Sequence, residues 1–188
     1  MAMRAGRHAF GAEQGRITLR TSRDGLAAQA GHDLTIDIRR WSGELTIAAD
    51  GTPAALQIRA VLGSIMVTAG TGGLKQLTDR DRREILTTAW KVLRVDQHPQ
   101  AVFTASGFTA DPGGQGGTID GTLSLAGQTQ PQRLQVTETG PGRFRATTTV
   151  LHTSYGIKPY SGFLGALRVS DAVGVEAELD LSAFDEGG

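Results

Sequence analysis

The sequence predicts an all-β fold: an antiparallel β-barrel with one amphipathic α-helix inserted between its two halves. Three observations predict it. Apolar and polar residues alternate with period two along most of the chain, turn-forming residues interrupt the alternation at short intervals, and one stretch switches to helical spacing.

The alternation starts with Ile17 and Leu19, set between Arg16, Thr18 and Arg20. Leu34, Ile36 and Ile38 repeat it against Asp33, Thr35, Asp37 and Arg39. Leu45 and Ile47 follow Gly43, and Leu56, Ile58, Ala60 and Leu62 form the next stripe. The second half carries Ile119, Gly121, Leu123 and Leu125, then Leu134 and Val136, then Phe144, Ala146, Thr148 and Val150. A last stripe of Val173, Val175, Ala177, Leu179 and Leu181 faces Glu176, Glu178 and Asp180 across the strand. Side chains in a strand point alternately to its two faces, so each run reads as a half-buried antiparallel strand. Asp24-Gly25, Asp50-Gly51, Asp111-Pro112-Gly113-Gly114 and Gly140-Pro141-Gly142 separate the runs. About eight to ten short strands at this spacing suggest a sandwich or barrel, and closure removes the exposed edges an open sheet of this size would keep.

The helical stretch is LTDRDRREILTTAWKVLRV. Thr78 is the expected N-cap, Asp81 three residues on completes a capping-box pattern, and acids occupy the first turn where the helix dipole favours them. Ile85, Leu86, Ala89, Trp90 and Leu93 make the apolar stripe, which needs an apolar surface such as one barrel end; Pro99 beyond it helps to stop the helix.

With 188 residues the chain is expected to form one domain over residues 1–188, with a short flexible tail at 184–188. It has no cysteine, which excludes disulfides, thiolate metal sites and cysteine nucleophiles. Nineteen basic residues balance nineteen acidic ones, and the densest basic cluster, Arg80, Arg82 and Arg83, is interleaved with acids, so no nucleic-acid partner is expected. No run reaches the roughly 18 apolar residues of a membrane span, and the N-terminus has arginines without a continuous apolar segment after them. The expected location is the cytoplasm, with no integral membrane segment.

Motifs for other chemistries are missing. Gly70-Thr71-Gly72-Gly73-Leu74-Lys75 lacks the spacing of a phosphate-binding loop and the hydroxyl residue after the lysine. The four histidines, His8, His32, His98 and His152, are not at ligand spacing, and neither a metal nor a cofactor is expected. The stretch from Thr153 to Val169 does not alternate, and it concentrates both tyrosines, Tyr155 and Tyr160, with Phe163 and Lys158. It reads either as a compact plug in the barrel end or as an aromatic and basic gate over a cavity mouth.

Several of these runs resemble the YceI-like family. Val92 to Thr104, VLRVDQHPQAVFT, is similar to its "vL…yP.a.F.s" segment, and Ile119 to Pro131, IDGTLSLAGQTQP, to its "v.G.LtlhG.t.pv" segment. Thr153 to Ile157 resembles its "dyGI" element and Asp171-Ala172-Val173 its late "geV". The opening GHDLT at Gly31 departs from the commoner "HS…F.v.H" pattern, and GIKPYSGFLGAL marks a divergent branch. The resemblance implies a lipocalin-like, extended antiparallel barrel. Members of the family hold a polyisoprenoid chain in an apolar channel, and many are periplasmic.

The expected function is the binding, storage or transport of an amphiphilic small molecule or lipid inside the barrel. An eight-stranded barrel has room for its own side chains or for one small ligand. Aromatics make up 5% of this chain, so small inward residues would leave space. The candidate lining is Leu34, Ile36, Ile38, Leu123, Leu125, Val173 and Val175. Tyr155, Tyr160 and Phe163 are the candidate gate, and Lys158 and Arg168 the candidate head-group contacts. Alternation fixes which residues share a face but not which face is inside. Two other readings stay open: a ligand-free structural or interaction module that could pair as a homodimer through a strand edge, and an enzyme acting on an apolar substrate through His32 or His152 with Tyr155 or Tyr160 and an acidic partner.

Overall fold

The computed structural model describes residues 3–162 and 167–184. Phe163 and residues 185–188 of the expected tail lie outside the described residues. Its strands are β1 (Gly6–Gly11), β2 (Gly15–Asp24), β3 (Asp33–Ile38), β4 (Trp41–Ile47), β5 (Pro53–Val61), β6 (Ile65–Thr71), β7 (Gln100–Ala110), β8 (Gly116–Leu125), β9 (Gln128–Gly140), β10 (Arg143–Leu151), β11 (Ser161–Gly162) and β12 (Leu167–Asp180). Among the described residues the one α-helix, α1 (Asp79–Val92), joins β6 to β7.

All strands belong to one antiparallel sheet, ordered β1-β4-β5-β7-β8-β9-β10-β12-β2-β3-β6, with β11 on β12. The path has two ends, yet the wall comes round on itself. Gly11 faces Ser42 and Ile17 faces Ile38, so β1 and β2 pair in succession along the β3–β4 strand, with extra residues at a corner. Trp41 faces Ala60 and Ile38 faces Ile65, so β5 and β6 pair along its other side with a matching corner. These three long bent strands and β7, β8, β9, β10 and β12 form a ring of eight, closed where β12 pairs β2. Bends of this kind let strands turn a barrel corner. The fold class agrees with the one read from the alternation.

The exterior also follows the pattern. Glu176, Glu178 and Asp180 of β12 meet arginines on its neighbours: Arg16 at 2.6 Å and Arg145 at 3.2 Å from Glu178, and Arg143 at 3.0 Å from Asp180. The apolar stripe of the same strand must therefore face inward. Gly43 on β4 shows how tightly the interior is fitted in places: the Phe10 ring lies where its side chain would stand, and that ring packs edge-on against Trp41, centroids 6.0 Å apart.

Helix α1 begins as its sequence dictates. The Asp81 amide donates to Thr78 Oγ1 at 3.2 Å, and the Thr78 amide donates to Asp81 Oδ2 at 2.8 Å. This reciprocal pair satisfies two amides that an uncapped start leaves open. Thr78→Ala is expected to cost about 1 kcal/mol, read as a lower urea midpoint at unchanged slope. The helix stops earlier than Pro99 requires. It ends at Val92, and Arg94 turns to φ +53°. Ile85, Leu86, Ala89 and Leu93 rest on the core, whereas Trp90, at the edge of the stripe, stays 38% exposed.

The described parts of the Thr153–Val169 stretch hold more regular structure than a plain loop. A short helical turn at residues 152–155 ends on Gly156 at φ +64°, and the chain then forms β11 and enters β12 at Leu167. Phe184 packs on His8, ring centroids 4.8 Å apart.

Candidate functional site

The barrel is hollow. A cavity of about 790 Å³ runs between its ends. At one end, formed by short turns, it reaches Gly51, Gly114 and Glu138; at the other, beneath α1 and the β2–β3 loop, it reaches Arg23, His32 and Tyr160. Leu19, Leu34, Leu56, Ile58, Phe144, Val175 and Leu179 point inward and pack on the core, yet are only partly buried, because their inner sides border the cavity. Small residues make the space: Ala146 faces Ala177 on β12 and Val136 on β9, and all three line the cavity.

The seven residues predicted as lining, Leu34, Ile36, Ile38, Leu123, Leu125, Val173 and Val175, all border this cavity. Tyr160 and Arg168 border it too, and Tyr160 remains 45% exposed. Tyr155 and Lys158 are not among its walls. Tyr155 is 1% exposed and Ile157 2%, packed with Leu62, Leu125, Ala126 and Val150 and against Val92, Leu93 and Val95. The aromatic stretch thus divides: residues 155–157 plug the barrel under the end of α1, and Tyr160 stands at the mouth. The plug is tied in by Arg94 Nη2, which donates to the Gly156 carbonyl at 3.0 Å, and by the Tyr155 hydroxyl, which donates to Gln132 Oε1 at 3.3 Å. Gln132 Nε2 in turn donates to Thr148 Oγ1 and the Thr149 carbonyl, so this polar set inside the wall is satisfied.

Three lining residues escape the sequence reading. Thr21 Oγ1, Trp41 Nε1 and His152 Nδ1 are buried without a hydrogen-bond partner among the described residues, and all three residues border the cavity. Arg23 borders it as well. Parity was the available signal, since Thr21 and Arg23 continue the inward stripe of Ile17 and Leu19.

Burial holds the His152 imidazole below its ordinary range; the Ser170 and Asp171 carbonyls and the Asp171 carboxylate pull the other way without cancelling it. The neutral ring is therefore favoured in the folded state. As pH falls below about 6.5 the unfolded chain takes up this proton more readily than the native one, so stability present above that pH is lost below it. His152→Gln is expected to flatten that part of the profile, measured as the urea midpoint from about pH 7 to 5. Of the other histidines, His32 also borders the cavity, with Nε2 2.7 Å from the Lys75 carbonyl, whereas His8 packs against Phe184 and His98 lies beside Gly127. Among the described residues no group of three or more histidine, aspartate or glutamate side chains is placed to hold a metal, and no described helix is long and apolar enough to cross a membrane.

A hollow up-and-down antiparallel barrel with an apolar interior is a lipocalin-type architecture. The family model of the YceI-like domain matches residues 13–181, and the chain belongs to that family. Among solved structures it is similar to Burkholderia cenocepacia BcnA, with 15% identity over 88% of this chain and 94% of that one, at a TM-score of 0.60. It is also similar to a Campylobacter jejuni YceI protein, with 13% identity over 76% of this chain and 83% of that one, at a TM-score of 0.51. At these identities the likeness concerns the fold. A comparison with curated protein sequences finds no match.

Proposed function

We propose that this protein binds an amphiphilic ligand with an apolar chain inside its barrel and stores or carries it. The observation that carries the reading is the cavity: about 790 Å³, walled by aliphatic side chains from every long strand and by α1. That volume lies within the usual range of ligand pockets, about 300–1,000 Å³. Each buried methylene contributes about 0.8 kcal/mol. Ten of them supply roughly 8 kcal/mol, the scale of micromolar affinity before association costs. The elongated shape favours a chain over a compact ring system, and the YceI-like family's association with polyisoprenoid chains supports the same class of guest.

The proposed role is binding without a chemical step. Its support is the make-up of the cavity wall: His32, His152 and Tyr160 border its helix end, but among the described lining residues the one carboxylate, Glu138, lies at the opposite end, so no acid lines the cavity beside them to complete a general acid–base set. The test is organic extraction of freshly purified protein followed by mass spectrometry, paired with titration of the protein with an apolar fluorescent probe. The expected result is a co-extracted chain-bearing amphiphile, or saturable probe uptake at about one per barrel. Protein that yields no lipid and takes up no probe would overturn the reading.

A further inference from the structure

Polar side chains gather at the helix end of an otherwise apolar channel. On β2, Thr21 faces Val173 and Arg23 faces Val169 of β12, and the pairing shifts between those two positions, so β12 bulges across residues 170–172. His152 follows Leu151, which faces Ala172, and so stands beside the same bulge. Among the described residues, Thr21 Oγ1 and His152 Nδ1 are buried there without partners. An unpartnered buried polar atom is costly and calls for an explanation.

Arg23 adds charge to this collar. Its Nη1 donates to the Gly31 carbonyl at 2.5 Å, and its Nε lies 3.7 Å from Asp33 Oδ1. A guanidinium has five N–H donors, so these contacts leave donors over. Gly72 takes φ +83°, a left-handed backbone that favours glycine, and the Arg23 guanidinium lies against it where a side chain would stand. Asp33 offsets part of the positive charge. Among the described lining residues the one carboxylate, Glu138, lies at the opposite end. The channel is thus electrically polar along its length.

We infer that the ligand's head group is an anion, a carboxylate or a phosphate monoester, seated at the helix end on the Arg23 guanidinium and the Thr21 hydroxyl, with its chain running toward the turn end. The inference rests on the chain-binding reading. Hydrogen bonds to an ionised group are roughly twice as strong as neutral ones, and the apolar walls leave little water to compete with them. The head group supplies the partner that Thr21 Oγ1 lacks among the described residues.

The test is displacement of a bound fluorescent apolar probe by hexadecanoate, hexadecyl phosphate and hexadecanol, which share one chain and differ in the head. The protein is expected to bind at least one of the anions about tenfold more tightly than the alcohol, and the stronger anion identifies the head-group source. Arg23→Gln and Thr21→Val are each expected to cut that preference several-fold while leaving hexadecanol within about twofold. Thr21→Val keeps the side chain's shape and removes an unpartnered hydroxyl, so it is expected to fold at least as stably as the parent and serves if Arg23→Gln does not fold. Equal affinity for all three ligands, or a preference that survives Thr21→Val and any folded Arg23→Gln protein, would overturn the head-group assignment and leave chain binding intact. Failure of all three, hexadecanol included, would overturn the chain-binding reading itself.

Discussion

Replacing Ala146 with phenylalanine is expected to abolish uptake of a chain-like guest while the barrel stays folded. Ala146 sits on β10 between Val136 of β9 and Ala177 of β12, all three facing the hollow. In a packed core a gain of this size forces neighbours off their rotamers and costs about 1–3 kcal/mol. Here the added ring enters free space, and cavity filling commonly stabilises by about 0.5–2 kcal/mol. The same ring obstructs the channel partway along its length. If it displaces even four methylenes of the guest, the loss is roughly 3 kcal/mol, on the order of a hundredfold in affinity. Probe titration and a urea melt on the same preparation check both halves. Weaker uptake with a raised or unchanged midpoint is the expected pair. Undiminished uptake would mean that the guest does not thread this part of the barrel.

The architecture was legible in the sequence because strand alternation is a local signal. A side chain's parity is set by its own strand, so Leu34, Ile36, Ile38, Val173 and Val175 could be placed on common faces without knowing the fold. Thr78 and Asp81 were equally local, and the capping box forms as read. Other features depend on contacts far apart in the chain. Tyr155 and Tyr160 are five residues apart in similar company, yet one is buried under the end of α1 and the other lies at the cavity mouth. That difference comes from Leu62, Leu125 and Val95, which only the closed barrel brings together. The collar at Thr21 and Arg23 lay between the two cases. Its parity was visible, but an arginine on an apolar stripe reads as the end of a strand until β12 and the glycine-rich β6–α1 segment are seen around it. The exact last turn of the helix is likewise set by distant contacts. Proline marks where a helix cannot continue, whereas the left-handed turn at Arg94 is paired with tertiary contacts, notably its bond to the Gly156 carbonyl.

Tyr155→Ala is expected to be the most damaging truncation, destabilising the protein by about 3–5 kcal/mol, the usual cost for a buried aromatic. Tyr155 fills the plug with Ile157 against Leu125, Val150 and the C-terminal end of α1, and its hydroxyl engages Gln132. Removing it leaves a void and strips the Gln132 carbonyl of a donor inside the wall. The informative control is Leu123→Ala. Leu123 is also apolar and inward, but its inner side borders the cavity. Its truncation enlarges a space that already exists, so its packing loss should fall at or below the bottom of the roughly 2–5 kcal/mol range for leucine. Urea denaturation of the two variants separates the regimes: a wide gap is expected if the plug is packed and the channel hollow. Near-equal losses from the two truncations would mean that side chains fill the channel in solution, leaving no space for the proposed guest.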